Sequence, residues 1–337
     1  MKIVVVYLGR KLPKYVLKNL LYLTTEFPSI ETVFISDNEK SILKAARIGA
    51  ATWKFHDESK RREKIQEESS LPMDFREGFW YVTTARFYAL SKYMETVPHE
   101  RVIQVEADVW ISENFPFSKF ENLDPEVDIS YPLETESTGA ASILYLRDYE
   151  SSKTFVDITF KLQESDKHLT DMGILGEIYL NKLMNVFVLP SSVIDSRSIN
   201  TEATPAIKND ITKNLDYFGG IFDPLTYGLF IFGEDPRNNR GQLMSRKRQR
   251  SHLIYCDLLN YRVEHDILGI TDSGFVQIFN LHNHSKMKNV WQKSFRSQQF
   301  KNLANSHILK PQIKRSYRIT IQVIFIALLR RLKRWFA

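Results

Sequence analysis

The sequence predicts an α/β fold in which helices flank a mostly parallel central sheet. Residues 3–8 form a continuous, largely β-branched apolar run, as expected of a strand buried on both faces of a parallel sheet. Residues 13–26 carry apolar side chains at helical spacing, and residues 32–37 form a second apolar run that ends in a polar turn. A strand, a helix and a strand within about forty residues indicate a βαβ unit.

The rest of the chain continues this alternation. Residues 79–95 and 168–184 have helical patterns, and further strands are predicted at residues 101–105, 128–131, 141–146 and, around turns, within 259–285. Residues 56–77 are highly charged and have no apolar periodicity, which predicts a surface helix or a loop. We find no internal repeat.

Length and cysteine content indicate a cytoplasmic globular protein. The 337 residues suffice for one large domain with a small C-terminal unit. The single cysteine, Cys256, excludes a disulfide within the chain and favours a reducing compartment. The apolar run at the N-terminus is shorter than the hydrophobic stretch of a signal peptide.

Positive charge is concentrated at the C-terminus. The net charge is +6, but nine Lys and Arg residues and no acidic residue lie within residues 301–337, so the rest of the chain is net acidic. A domain that binds nucleic acid would carry its basic residues on its body, so we do not expect a nucleic-acid partner. We therefore predict a domain over residues 1–300 and a separate basic segment over residues 301–337.

The basic segment also contains a mostly apolar run over residues 319–329. About twenty apolar residues are needed to cross a bilayer as a helix, so this run is too short to span. Apolar side chains beside clustered cations are typical of an amphipathic helix at an anionic membrane surface. The alternative is a helix docked on the domain with its basic residues in solvent. We favour peripheral association with the inner face of the cell membrane, because the nine cations have no acidic counterparts.

Two carboxylates directly follow the predicted strand over residues 101–105. Glu106 and Asp108 are one residue apart, so both could reach one divalent cation from the strand end. Their oxygen ligands suit Mg²⁺ or Mn²⁺, which can bridge the phosphates of a nucleotide-sugar and act as a Lewis acid on the leaving diphosphate. An acid-x-acid pattern alone is also compatible with a solvated strand end. Its position after a buried strand in a βαβ context favours the metal site.

These acids and the helix before them resemble GT-A glycosyltransferases, in particular bacterial enzymes of surface polysaccharide assembly. The matching stretches, in order, are residues 83–87, 105–109, 217–223, 233–238 and 280–286. The resemblance covers residues 1–290 and implies a Rossmann-like GT-A fold, a UDP- or GDP-sugar donor and a glycan or lipid-linked acceptor. The first acid of the family motif is usually Asp, and Glu106 stands in that place, so Asp108 is the more secure ligand.

The resemblance also implies residues that bind the donor. Tyr7, Gly9 and Asp37 would line the pocket for the base and the ribose. Thr84 and Arg86 lie on the matching helix. The fixed fork of the Arg86 guanidinium would hold either an acidic motif residue or a phosphate.

A late histidine supplies the third metal ligand in many GT-A enzymes. Here this implies His282 or His284, with Lys286 neutralising the diphosphate. An inverting transferase needs a carboxylate to deprotonate the acceptor hydroxyl, and Asp171 and Asp223 are the candidates. Asp171 could instead be a helix N-cap, and a retaining enzyme need not have such a base.

Patterns typical of other enzymes are missing from the sequence. There is no P-loop motif, no Gly-x-Gly-x-x-Gly after the first strand and no Gly-x-Ser-x-Gly elbow. Two alternatives remain. A sugar nucleotidyltransferase would usually carry a longer Gly-rich basic loop than Gly9-Arg10-Lys11 after its first strand. A GT-A-like module could also serve as a non-catalytic scaffold in a polysaccharide assembly complex.

Overall fold

The computed structural model describes residues 1–9, 12–56, 70–71, 78–193, 198–232, 252–264, 267–271, 274–284 and 286. The strands in chain order are β1 (Lys2–Val6), β2 (Thr32–Ser36), β3 (Ala51–Lys54), β4 (Val102–Val105), β5 (Val109–Ile111), β6 (Ile129–Tyr131), β7 (Leu133–Thr135), β8 (Thr138–Gly139), β9 (Ile143–Leu146), β10 (Val186–Val188), β11 (Gly220–Ile221), β12 (Tyr261–Glu264), β13 (Ile267–Ile270), β14 (Val276–Ile278) and β15 (Asn280–His282).

Helices alternate with single strands in the first part of the chain, whereas several strands or helices follow one another further on. The helices are α1 (Lys14–Glu26), α2 (Glu39–Ala46), α3 (Phe79–Met94), α4 (Phe117–Glu121), α5 (Tyr149–Ser165), α6 (Asp171–Leu180), α7 (Pro205–Asp210), α8 (Leu215–Phe218) and α9 (Thr226–Phe232). A short 3₁₀ helix follows at Cys256–Leu258. Within the described ranges, no helix is both long enough and apolar enough to cross a bilayer.

Seven strands form the central sheet in the order β10-β6-β9-β4-β1-β2-β3. The pairs β1–β2, β1–β4, β2–β3 and β6–β10 are parallel, whereas β9 runs antiparallel between β4 and β6. The sheet is therefore mostly parallel, which confirms the fold class that the sequence predicts. The side chains of β1, β2 and β4 are almost entirely buried, which explains their uninterrupted apolar sequences.

The parallel pairing places three strand ends along one edge of the sheet. Ligands of open α/β sheets bind beyond the carboxyl ends of the strands. Gly9 follows β1, Asp37 follows β2 and Glu106 follows β4. The backbone N–H of Gly9 donates to Asp37 Oδ1 over 3.0 Å, so the loops after β1 and β2 are tied together. Gly9 has φ +136°, a conformation that favours glycine.

A two-stranded ribbon brings a late segment to this edge. β15 pairs antiparallel with β5, which directly follows residues 106–108, and His282 lies opposite Val109. A separate sheet has four strands in the order β11-β14-β13-β12, and three of them, β12 to β14, immediately precede β15 in the chain. The ribbon is therefore what carries residue 282 to the end of β4.

Several elements differ from the sequence predictions. The helix predicted over residues 168–184 is shorter, because Thr170 caps it by accepting from Gly173 N and it ends at Leu180. The strand β3 and the helix α5 had not been predicted. The predictions for residues 233–238 and 301–337, and most of the prediction for residues 56–77, lie outside the described residues.

Candidate metal centre

Glu106, Asp108 and His282 meet at the carboxyl end of β4. One ligand atom from each residue lies within 4.8 Å of the others. His282 Nε2 lies 3.3 Å from Asp108 Oδ1, and His282 Nδ1 lies 3.5 Å from Glu106 Oε2. Two carboxylates and one imidazole form a donor set that a divalent cation accepts. We call residues 106–108 the acid loop.

Backbone hydrogen bonds fix the acid loop between two neighbouring segments. The N–H of Glu106 donates to the carbonyl of Ser142 over 3.2 Å, and the N–H of Val109 donates to the carbonyl of Glu106 over 2.9 Å. On the other side, the N–H of Asn283 donates to the carbonyl of Asp108 over 2.8 Å. The ligand-bearing turn is therefore held by the main sheet and by the β5–β15 ribbon.

The ionisation of these side chains fits a metal site. Burial lowers the pKa of His282, which favours the neutral imidazole that a metal needs. Burial alone would raise the pKa of Glu106, but the positive charge of Arg86 and its hydrogen bond to this carboxylate outweigh burial and hold that pKa below its ordinary value. Among the described residues, His282 Nδ1 is buried without a hydrogen-bond partner. A bound cation would satisfy such a nitrogen, so the residues present fit the group.

The structure separates the two candidate histidines. His282 belongs to the three-residue cluster, whereas the ring of His284 stacks on that of His282 with centroids 3.8 Å apart and planes 16° apart. The N–H of His284 donates to the carbonyl of His282 over 3.0 Å. His284 thus packs behind the proposed ligand, which makes His282 the better candidate.

Lys286 lies beside the same carboxylates. Its ammonium is paired with the carboxylate of Asp108 and lies 5.2 Å from the centroid of the Tyr15 ring. The backbone of Lys286 has φ +56°, which is uncommon for a residue other than glycine. The backbone N–H of Lys286 donates to the carbonyl of Asn283 over 2.9 Å. The turn after β15 therefore places the ammonium group of Lys286 next to the acid loop.

Arg86 is shared by two carboxylates. It is paired with Glu106, and its Nη2 lies 2.8 Å from Asp171 Oδ2. Burial alone would lower the pKa of Arg86, but the two carboxylates raise it, so the guanidinium stays charged. Of the two roles that the resemblance implies for Arg86, the structure therefore shows the pairing with an acidic motif residue.

The pairing with Arg86 also changes the role of Asp171. Its carboxylate is buried against the guanidinium, so it is not available as a solvent-accessible base for an acceptor hydroxyl. Burial raises the pKa of Asp171, and the charge of Arg86 opposes that rise. It is not the N-cap of α6 either, since Thr170 occupies that position. Asp171 instead holds Arg86 from the side opposite Glu106.

Asp223, the other predicted candidate for the catalytic base, has a structural role in this fold. Asp223 is 0% exposed, and its carboxylate accepts from four backbone N–H groups at 2.8–2.9 Å. These N–H groups belong to Leu225, Tyr227, Gly228 and His282. The saturated carboxylate joins the start of α9 to β15, so Asp223 fixes the backbone of the proposed histidine ligand.

A close backbone contact supports the same arrangement. A Cβ atom built on Gly228 would lie 2.1 Å from the carbonyl oxygen of His282. A glycine is therefore required where α9 crosses β15. Its position in the apolar stretch after residues 217–223 gives no sign of this requirement in the sequence.

The proposed donor pocket is only partly assembled as the resemblance implies. Gly9 and Asp37 are in contact, and Tyr7 is half-buried after β1 with its N–H donating to the carbonyl of Ile35 over 2.9 Å. Thr84, in contrast, is 3% exposed, and its hydroxyl donates to the carbonyl of Trp80 within α3. The donor-binding role of Thr84 stays a prediction from the resemblance, and its burial within the helix packing does not favour that role.

The structure contains a second buried carboxylate–imidazole pair, which no pattern in the sequence predicts. Glu134 Oε1 lies 3.1 Å from His252 Nδ1, and Glu134 Oε2 accepts from Thr138 Oγ1 over 3.2 Å. The N–H of Leu253 donates to the carbonyl of Glu134 over 3.1 Å, which anchors the segment from His252 onward to β7. The two partners are more than a hundred residues apart, so only the folded chain reveals the pair.

Comparisons with known proteins show similarity in fold only. No protein-family model matches the chain, and no curated protein matches it either. A similar solved structure is the galactosyltransferase LgtC in complex with donor and acceptor sugar analogues, at 13% identity and TM-score 0.47, covering 94% of this chain and 99% of LgtC.

Two further similar structures differ in activity. One is mouse xyloside xylosyltransferase 1, which is 13% identical with a TM-score of 0.39. The matched region spans 56% of this chain and 84% of the xylosyltransferase chain. The other is a cytidylyltransferase from Leptospira borgpetersenii, which is 10% identical with a TM-score of 0.38. The matched region spans 64% of this chain and 87% of the cytidylyltransferase chain.

Proposed function

We propose that this chain transfers a sugar from a nucleotide-diphosphate sugar to a hydroxyl group of a glycan or lipid-linked oligosaccharide. The observation that carries the proposal is the convergence of Glu106, Asp108 and His282 within 4.8 Å at the carboxyl end of a parallel strand. Gly9 and Asp37 lie at the same sheet edge, where a nucleotide would bind. Donor, metal and diphosphate would therefore share one edge.

In the proposed reaction, the residues of the centre would have distinct roles in binding Mn²⁺ or Mg²⁺ and the diphosphate. Glu106, Asp108 and His282 would hold the ion, which would supply Lewis-acid stabilisation of the leaving diphosphate. Arg86 would keep the Glu106 carboxylate ionised and oriented by its pairing. Lys286, already beside Asp108, would neutralise part of the diphosphate charge.

The reaction would be a substitution at the anomeric carbon of the donor sugar. The acceptor oxygen forms a bond to that carbon, and the bond between the carbon and the phosphate oxygen breaks with its electron pair leaving on the diphosphate. The charge that develops on the diphosphate lies where Lys286 and the acid loop meet. Neither Asp171 nor Asp223 offers a free carboxylate for this step. The proton of the acceptor hydroxyl would therefore pass to the departing diphosphate oxygen, which gains negative charge as its bond to the sugar breaks.

A transfer assay tests the proposal directly. The purified full chain would be incubated with UDP- and GDP-sugars, with Mn²⁺ or Mg²⁺, and with or without saccharide acceptors, and release of UDP or GDP would be measured. We expect Asp108→Asn to reduce turnover at least about 100-fold, since a lost Lewis acid removes several kcal/mol of transition-state stabilisation. Asp216→Asn, at an exposed carboxylate, is the matched control and should retain wild-type turnover.

Two outcomes of this assay would contradict the proposal and favour a different function. Release of pyrophosphate from a nucleoside triphosphate and a sugar phosphate would identify a nucleotidyltransferase. Absence of turnover with every donor, together with absence of nucleotide binding, would favour a scaffold.

A further inference from the structure

Helix α1 presents one row of side chains to the metal centre. Tyr15, Asn19 and Tyr22 are spaced at i, i+4 and i+7, so they lie on one face of the helix. The Tyr15 ring lies beneath the ammonium of Lys286 at 5.2 Å, and the hydroxyl of Tyr22 donates to the carbonyl of Ile111 over 2.8 Å. The middle member, Asn19, reaches the acid loop itself.

Asn19 holds the backbone on both sides of Asp108. Its Nδ2 donates to the carbonyl of Ala107 over 3.2 Å and to the carbonyl of Val109 over 3.0 Å. These carbonyls belong to the residues immediately before and after Asp108. Two hydrogen bonds from one buried amide therefore restrict the peptide groups that aim this carboxylate.

The burial of Asn19 is difficult to explain by stability alone. The residue is 0% exposed, and among the described residues its Oδ1 has no hydrogen-bond partner. A buried acceptor without a partner costs about 1–3 kcal/mol, so such a group calls for an explanation. The two carbonyls that face the side chain require a donor, which an apolar side chain or an aspartate could not supply.

We propose that Asn19 is a positioning residue for the metal centre and sets its affinity for the divalent cation by fixing the acid loop. This inference rests on the proposed function, because it assumes that the acid loop binds a metal. Outer groups that orient metal ligands commonly change affinity about 10–100-fold when they are removed. Asn19 acts through Asp108 and does not itself contact substrate.

Metal binding by two variants of the full chain tests this inference. The probe is Mn²⁺ alone, with bound and free ion separated by electron paramagnetic resonance and thermal unfolding measured in parallel. We expect Asn19→Leu, which keeps the size of the side chain but has no donor, to weaken Mn²⁺ binding at least about 10-fold. The matched control is Tyr22→Phe, which removes one hydrogen bond from the same face of α1 but leaves the acid loop contacts intact.

The outcomes are distinguishable. Weakened Mn²⁺ binding in Asn19→Leu with near wild-type binding in Tyr22→Phe supports a positioning role, whatever the two melting temperatures are. Equal Mn²⁺ affinity in wild type and Asn19→Leu overturns the inference and leaves the metal centre intact. Failure of the wild type to bind Mn²⁺ overturns the proposed centre itself. If Asn19→Leu does not fold, Asn19→Ala, which introduces a strong helix former, is compared in its place.

Discussion

The side chains of the proposed centre come from distant parts of the chain. Asp108 and Lys286 are separated by 178 residues, yet their side chains are paired. Local sequence identified the two acids because they follow a strand. It left His282 and His284 equivalent, since both lie at the same strand end. The pairing of β15 with β5 decides between them, because it places the His282 imidazole against Asp108 and Glu106.

The two histidines therefore provide a matched pair of substitutions. We expect His282→Ala to weaken Mn²⁺ binding at least about 10-fold, since it removes a proposed ligand, whereas His284→Ala should change it little. Titration of each full-length variant with Mn²⁺ measures both effects. The opposite ranking would assign the ligand role to His284.

Asp223 offers a test of the corrected role. Its carboxylate accepts four backbone N–H groups, and an amide cannot accept all four. We expect Asp223→Asn to lower the free energy of unfolding by about 3 kcal/mol and to weaken metal binding through movement of His282. Urea unfolding measures the first effect, with Asp216→Asn as an exposed control. A variant of wild-type stability that has lost only turnover would restore Asp223 as a base.

At the level of single elements, the first half of the sheet follows closely from the sequence. β1, α1 and β2 lie within a residue or two of the predicted bounds, because continuous apolar strands and an amphipathic helix give strong periodic signals. β3 is missed because it has only four residues and none of them is fully buried. α5 is not among the predicted helices, although the aspartate at its N-cap, Asp148, is typical of a helix start.

The N-cap of α5 makes stability depend on pH. The Asp148 carboxylate accepts from Ser151 N over 2.8 Å and pairs with Arg147. Partial burial alone would raise the pKa of Asp148, but these hydrogen bonds outweigh it and hold the pKa below its ordinary value. Because the pKa of Asp148 is lower in the folded state than in the unfolded state, its carboxylate stabilises the fold when the pH is above the pKa of the unfolded state. This contribution is lost as the pH falls through the pKa of the folded state.

Asp148→Asn isolates this contribution, because Asn is also a good N-cap but does not ionise. We expect wild type to be more stable than the variant by about 0.5–1 kcal/mol at pH 7, where the aspartate is charged. The difference should shrink as the pH falls below the ordinary Asp value of about 3.9, and should disappear once the pH is below the lowered pKa of Asp148 in the folded state. Urea unfolding at several pH values measures it. A difference that stays constant across this range would contradict the assigned pKa shift.

For the whole molecule, the mostly parallel sheet and the position of the site at its edge follow from the order of strands in the sequence. The β5–β15 ribbon and the separate four-stranded sheet do not, because their pairings depend on contacts between remote segments. Arg86 illustrates the difference. Sequence placed it on a helix near the acids, but only the fold shows that it is shared by Glu106 and Asp171.

The basic segment over residues 301–337 lies outside the described residues, so its membrane role stays a prediction from sequence. We expect the full chain to bind vesicles that contain anionic lipid, and deletion of residues 311–337 to abolish most of that binding, because this deletion removes most of the clustered cations. Vesicle sedimentation at low and high salt measures it, with vesicles of neutral lipid as the control. Unchanged binding after the deletion would rule out the proposed membrane contact.

The most direct test of the metal-dependent donor site is thermal stability of the purified protein with UDP or GDP, in the presence and absence of Mn²⁺. A ligand that binds the native state at about 100 times its Kd stabilises it by about 2.7 kcal/mol, which corresponds to a rise in Tm of about 5 °C. We expect such a rise with at least one nucleotide only when Mn²⁺ is present, and no rise in Asp108→Asn. A rise that is independent of Mn²⁺, or that persists in Asp108→Asn, would contradict the metal centre at Glu106, Asp108 and His282.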